Sequence, residues 1–331
     1  MARSLTGIAC LSGALLMLFM AGPPPAPPNA SGATASQPKP SAELPSPLIP
    51  NQAMTEKGWL PLLQRLHDDK IYDQDVGEWF AGLQENYSPR PMGTKVGAMF
   101  RSRYQPPLFS FLRRPKIPPN LYSDTLTPEN ISACRAFLRE HADLFLKVEK
   151  RYAVPKEVLT ALLLVETRLG NFLGQDTAIW TLACLAASNE PETLGELRPP
   201  TANEAQEAWL REQLKKKSDR AYNELKALIT HARKYRHNPL EMRGSSEGAL
   251  GLCQFMPSNI SMYGVDGTGN GRIDLFSLPD ALHSAANFLK VHGWKSNASR
   301  DRRIRTLCRY NHSRLYANTI LTLAERLAKK E

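Results

Sequence analysis

The sequence predicts a mainly α protein. Apolar residues recur three and four positions apart through most of the chain beyond residue 58, helix starts are marked by capping residues and prolines, and no stretch sustains the alternation of a strand ladder or an internal repeat. With 331 residues, 42% of them hydrophobic and 22% charged, the chain is long enough to bury one or two cores.

The elements follow in chain order. Arg3 precedes an apolar run to residue 22 that contains "ALLMLF", the layout of a secretory signal peptide or of an amino-terminal membrane anchor, so residues 1–22 predict export. Residues 23–50 are rich in Pro, Ala and Ser and nearly free of aromatics, which predicts a disordered tether. "GWLPLLQRLHDD" (58–69) and "DQDVGEWFAGLQ" (73–84) have helical spacing before "SPRPMG" breaks the pattern, giving a small helical module over 51–115.

The main domain is assigned to 116–331. Thr127 caps and Pro128 opens a helix running to about residue 152, and a second starts near Pro155 and ends near Gly170. Further amphipathic stretches cover 203–214, 219–235, 279–292, 300–310 and 313–329.

Glu166 lies inside the apolar run "LTALLLVETRLGNF", with Leu162, Leu163, Leu169 and Gly170 as its helical neighbours. Desolvation there would raise its pKa and keep a proton on it near neutral pH, as general acid catalysis requires. On this stretch alone, a half-buried glutamate paired with Arg168 or another cation is the preferred explanation. A second stretch, "GSSEGALGLCQFMPS", sets small residues around Ser245 and Gln254, which suits either a wall approached closely by a ligand or a tight interhelical turn.

These stretches carry a family resemblance. "VETRLGNFLG", "GALGLCQFMPS", "AANFLKVHGW" and "RYNHSRLYANTIL", in that order, resemble the lytic murein transglycosylase B family from about residue 120 to 328. The resemblance implies a lysozyme-like helical domain that cleaves the β-1,4 bond between N-acetylmuramic acid and N-acetylglucosamine in peptidoglycan. The muramyl 6-hydroxyl attacks its own anomeric carbon and leaves a 1,6-anhydro end. Glu166 falls on the catalytic glutamate, acting first as acid and then as base. Ser245, Gln254, Tyr310, Asn311 and Tyr316 fall on the sugar-binding groove. The chain departs from the family pattern at Leu169, Cys253 and Phe288.

Ordinary glycosidases flank the bond with two carboxylates. No second acid sits in a comparable motif here; Glu247 is the nearest candidate, and a single carboxylate suits a tethered nucleophile. A muramidase using the same groove, and a non-catalytic peptidoglycan-binding protein, are the alternative readings. The chemistry requires no cofactor.

The loop "DGTGNGRID" places Asp266, Thr268, Asn270 and Arg272 at EF-hand-like positions, and the resemblance implies a longer loop closed by Asp280, with Asp274 nearby, around a structural calcium ion. A glycine-rich turn without metal is the alternative reading.

Cys134, Cys184, Cys253 and Cys308 match no zinc spacing, so disulfides and buried thiols both stay open. A net charge of +10 predicts a polyanionic partner. Export disfavours nucleic acid and favours an anionic cell-wall polymer or an anionic membrane surface, and the resemblance implies peptidoglycan in the periplasm or envelope of a bacterium.

Overall fold

The computed structural model describes residues 58–105 and 121–329. The predicted leader and tether, residues 51–57 and residues 106–115 of the leading module lie outside the described residues.

Among the described residues three helices come first, α1 (Leu60–Asp68), α2 (Gln74–Gly82) and α3 (Arg90–Tyr104). Asp73 caps α2 by accepting from the Val76 amide at 3.0 Å. The "SPRPMG" stretch, read as a breaker, instead starts α3, with Pro89 at the N-cap and Pro91 in the first turn where a missing amide costs nothing. Trp59 is fully buried edge-on against Phe80 and Tyr87. The Tyr87 hydroxyl donates to the Thr193 carbonyl at 2.8 Å, and the Trp180 indole donates to the Asn86 carbonyl at 3.0 Å. These bonds tie the leading helices to the segment at 180–193, and both sides share one continuous apolar cluster.

The centre of the molecule is α6 (Lys156–Thr167). Before it, α4 (Pro128–Glu140) and α5 (Ala142–Tyr152) were expected as one helix, but the chain turns at His141, whose backbone leaves helical geometry at φ −111° and ψ 26°. Leu159, Leu162 and Leu163 of α6 are fully buried, each worth about 1.5–3 kcal/mol of transfer free energy. Around α6 pack α4, α5, α10 (Leu278–Val291) and α12 (Arg314–Leu327).

A second layer pairs α7 (Ala178–Ala187) with α8 (Glu204–Tyr235). The stretches at 203–214 and 219–235 are one 32-residue helix, because Leu210, Leu214, Ser218, Ala221, Leu225 and Leu228 continue one buried stripe past "KKKS". Ser218 is small enough to sit at the contact and returns its hydroxyl to the Lys215 carbonyl. The remaining helices are α9 (Pro257–Tyr263) and α11 (Arg300–Tyr310), and the strands are two-residue segments, β1 (Asp176–Thr177) and β2 (Arg243–Gly244), paired antiparallel. Among the described residues no helix is long and apolar enough to cross a membrane.

Candidate active site

Glu166 stands on the last turn of α6, where the buried helix reaches the edge of the core. The helix stops one residue later through a run of left-handed residues, Arg168 (φ 52°), Leu169 (φ 60°) and Gly170 (φ 93°). Back-bonds from the Arg168 amide to the Leu164 carbonyl and from the Leu169 amide to the Leu163 carbonyl close the end. Two consecutive non-glycine residues in that region cost roughly 1–3 kcal/mol each, a strain typical of functional sites.

Thr167 fastens this end to the neighbouring loop. Its hydroxyl donates to the Leu252 carbonyl at 2.9 Å and accepts from the Gly170 amide at 3.2 Å. The loop itself is a tight turn closed by mutual bonds between Leu250 and Phe255. Gly251 (φ 67°) permits it, since a Cβ there would lie 2.3 Å from the Leu275 carbonyl oxygen. Gln254 also takes a left-handed backbone (φ 50°), and its side-chain amide donates to the Gly251 carbonyl at 2.9 Å.

The final helices complete the cleft. Tyr310 closes α11, is buried between Phe255 and Phe288, and donates its hydroxyl to the Cys253 carbonyl. Ser313 caps α12, setting fully buried Tyr316 so that its hydroxyl donates to Glu166 Oε1 at 2.6 Å. The two tyrosine rings lie nearly parallel, 16° apart with centroids at 6.5 Å.

The electrostatics follow from this packing. Burial pushes the Glu166 carboxyl up to about 7, against the downward pull of the Tyr316 hydrogen bond. Glu166 still keeps a partial opening to solvent. Burial, then the Glu166 charge among nearby groups, raises the Tyr310 and Tyr316 hydroxyls well above their ordinary value, so both serve as neutral donors. Burial takes the Cys253 thiol to about 12. The other acids in reach of the loop are engaged elsewhere: Glu247 pairs with Lys95 of α3, and both Glu224 oxygens accept from Ser258, at 2.9 Å each.

Of the residues expected in the groove, Glu166, Tyr310 and Tyr316 thus meet at one place. Gln254 and Ser245 shape the backbone beside it. The Ser245 hydroxyl accepts from the amides of Glu247 and Ala249, at 3.2 and 3.1 Å. Asn311 is buried at the end of α11, where its carbonyl accepts from the Ser313 amide at 2.7 Å. Thr167 and the Cys253 carbonyl were not anticipated.

The loop at 266–280 is closed upon itself. Asp266 Oδ1 accepts from the Thr268 hydroxyl and the Gly269 and Asn270 amides, and its Oδ2 from the Gly271 amide. Buried Asp280 accepts from the amides of Gly267, Thr268 and Asp274, at 2.8–3.1 Å. The side chain of Asn270 turns to the Arg272 amide at 2.8 Å. Among the described residues no group of three or more His, Cys, Asp or Glu side chains could hold a metal ion. In the expected calcium set of Asp266, Thr268, Asn270, Arg272 and Asp280, the two carboxylates accept from loop amides in this arrangement. Cys134, Cys184, Cys253 and Cys308 are free thiols, which decides between the two readings of the cysteines.

A family model described as "Transglycosylase SLT domain" matches residues 64–306. The chain is 31% identical over 169 residues to the membrane-bound lytic murein transglycosylase B of Escherichia coli (strain K12), a match covering 51% of this chain and 40% of that relative. The aligned part therefore spans less than half of the relative's length. The fold is similar to that of the Escherichia coli lytic transglycosylase Slt35 in complex with bulgecin A, at 20% identity and TM-score 0.59, covering 84% of this chain and 93% of that one. A structure of Slt35 in complex with calcium gives TM-score 0.57 at the same identity and the same coverages of 84% and 93%. Pseudomonas aeruginosa SltB3, solved with NAG-anhNAM-pentapeptide, matches with TM-score 0.58 at 21% identity, covering 84% of this chain and 80% of that one.

Proposed function

The chain belongs to the transglycosylase SLT domain family, and from that premise we propose that it is a lytic transglycosylase that cuts the MurNAc-β-1,4-GlcNAc bond of peptidoglycan and leaves 1,6-anhydromuramyl ends. The observation that carries the reading is a single carboxyl held near pKa 7, bonded to a neutral tyrosine, with the neighbouring acids Glu247 and Glu224 engaged elsewhere.

At neutral pH a substantial fraction of Glu166 carries its proton. It gives that proton to the glycosidic oxygen as the bond from the muramyl anomeric carbon breaks. The resulting carboxylate takes the proton of the muramyl 6-hydroxyl as that oxygen bonds to the same carbon, so the group ends as it began. No water is consumed, and the tethered nucleophile needs no second acid to hold it. The Tyr316 hydroxyl orients the carboxyl and stabilises it during the interval in which it is charged. Tyr310, Asn311, Gln254 and Ser245 are assigned to the wall of the sugar groove. The helical module ahead of residue 116 braces the Ser245 loop of the main domain through the Lys95–Glu247 pair.

The substrate and the predicted leader together put the protein on the outer side of a bacterial inner membrane, in the periplasm or at the envelope. Mass spectrometry of soluble fragments released from sacculi tests the assignment. Anhydromuramyl ends that vanish in Glu166→Gln are expected. Reducing ends would make the protein a muramidase, and an absence of fragments from folded protein would make it a binding protein.

A further inference from the structure

The outer face of α11 carries a ladder of arginines that the catalytic reading leaves unused. Residues 300–314, "RDRRIRTLCRYNHSR", hold six arginines against one aspartate. Ile304, Leu307 and Tyr310 turn inward and are buried, whereas Arg302, Arg305 and Arg309 are exposed. Their spacing of three and four residues sets them on one face, over a rise of about 10 Å at 1.5 Å per residue.

These three cations differ from the arginines at the two ends of the segment. Arg300 pairs with Glu325, and Arg314 lies 3.7 Å from Asp301. Exposed Arg211 of α8 is surrounded by Glu190, Glu192 and Glu207. Among the described residues none of Arg302, Arg305 and Arg309 has an acidic partner within the 4.0 Å of an ion pair. Three like charges along one helical face repel one another, with Asp301 the one acid on the same helix.

We propose that this ladder binds the peptide carboxylates of the uncut peptidoglycan strand outside the catalytic cleft. The inference rests on the substrate proposed above. Arg309 directly precedes Tyr310, which holds the Cys253 carbonyl in the cleft wall, so the ladder starts at the cleft and leads away from it. All three cations are arginine, whose planar fork matches carboxylates bidentately. An anionic bilayer fits less well, because membrane-docking helices insert apolar side chains beside their cations. The exposed large apolar residues, Leu146, Phe172, Leu197, Met262 and Val291, all lie on other elements.

The test is co-sedimentation with intact sacculi, with sacculi stripped of stem peptides by an amidase, and with vesicles of anionic phospholipid. Glu166→Gln serves as the non-cutting background, alone or with Arg302, Arg305 and Arg309 changed together to Glu or together to Lys, each checked for an unchanged melting temperature. Binding to intact sacculi is expected to weaken about tenfold in the glutamate variant, from three exposed charge contacts worth a few-fold each. It is expected to weaken less in the lysine variant, and the difference should shrink on stripped sacculi and at high salt. Equal binding of all variants to intact sacculi, or a loss confined to vesicles, overturns the proposal. Release of fragments by the Glu166-bearing protein is scored separately: its absence defeats the enzymatic reading, while the binding comparison alone decides the ladder.

Discussion

Changing Glu166 to Gln should stabilise the protein increasingly as the pH rises from about 4.5 to about 7, and fully above that. The carboxyl ionises near the usual glutamate value of 4.5 in the unfolded chain and at about 7 in the fold, because burial penalises its charge. Below pH 4.5 both states hold the proton and the two proteins should be equally stable. Between about 4.5 and 7 the unfolded chain releases a proton that the folded chain keeps, so wild-type stability falls as pH rises. Above about 7 both states are ionised and the penalty is constant. The interval corresponds to about 3 kcal/mol at 1.36 kcal/mol per decade, and the partial opening of Glu166 to solvent reduces it to about 1–3 kcal/mol. Glutamine can still accept from Tyr316 and carries no charge to desolvate. Urea unfolding of both proteins at about pH 4, 6 and 8 measures the gap directly. A gap that is the same at every pH, or a less stable variant at about pH 8, would refute the desolvation argument.

Other outcomes rest on the same contacts. Tyr316→Phe removes the bond that holds the Glu166 pKa down, so the alkaline limb of the rate profile should move to higher pH while the maximum falls about tenfold or more. Gly251→Ala meets both a positive φ and the Leu275 carbonyl, and should cost about 2 kcal/mol or more in urea unfolding as the Leu252 contact with Thr167 shifts. Asp280→Ala strips three amides of their acceptor and should cost about 2–4 kcal/mol, whereas calcium or a chelator should leave the wild-type melting temperature unchanged; a calcium-dependent rise would show that the loop rearranges around metal. Buried Cys134, Cys184 and Cys253, each with its thiol pushed up to about 12, should resist a thiol reagent until the protein unfolds.

The elements legible in the sequence were those whose pattern is local. Thr127 and Pro128 marked α4, and the alternation of apolar and charged residues marked α11 and α12. The helix α7 escaped notice because nearly every one of its residues is apolar and buried, which leaves no period to detect. Four polar residues in a row hid the continuity of α8, since a helix can pass a polar face to solvent without ending. The β1–β2 clasp was illegible for a different reason: it rests on Gly174, where a Cβ would strike the Gly244 carbonyl, a contact made between distant parts of the chain.

The same division runs through the site. Glu166 could be found because a carboxylate in an apolar run is a local anomaly. The family resemblance put Tyr316 in the sugar groove, but its bond to Glu166, 150 residues away, emerges only in the fold. The Cys253 carbonyl and the Leu252 carbonyl hold the cleft together through main-chain atoms, which carry no residue identity to be read. In the 266–280 loop the residue types suited a metal, and only the directions of the side chains revealed that they face amides.

The central claim is that one carboxyl, Glu166, serves as acid and then base in an intramolecular attack that consumes no water. Digesting sacculi in water enriched in oxygen-18 and weighing the released muropeptides tests it most directly. The account predicts anhydromuramyl products without label, and none at all from Glu166→Gln. Label at the muramyl anomeric carbon would show that water is the nucleophile, and the single-carboxyl account would be wrong.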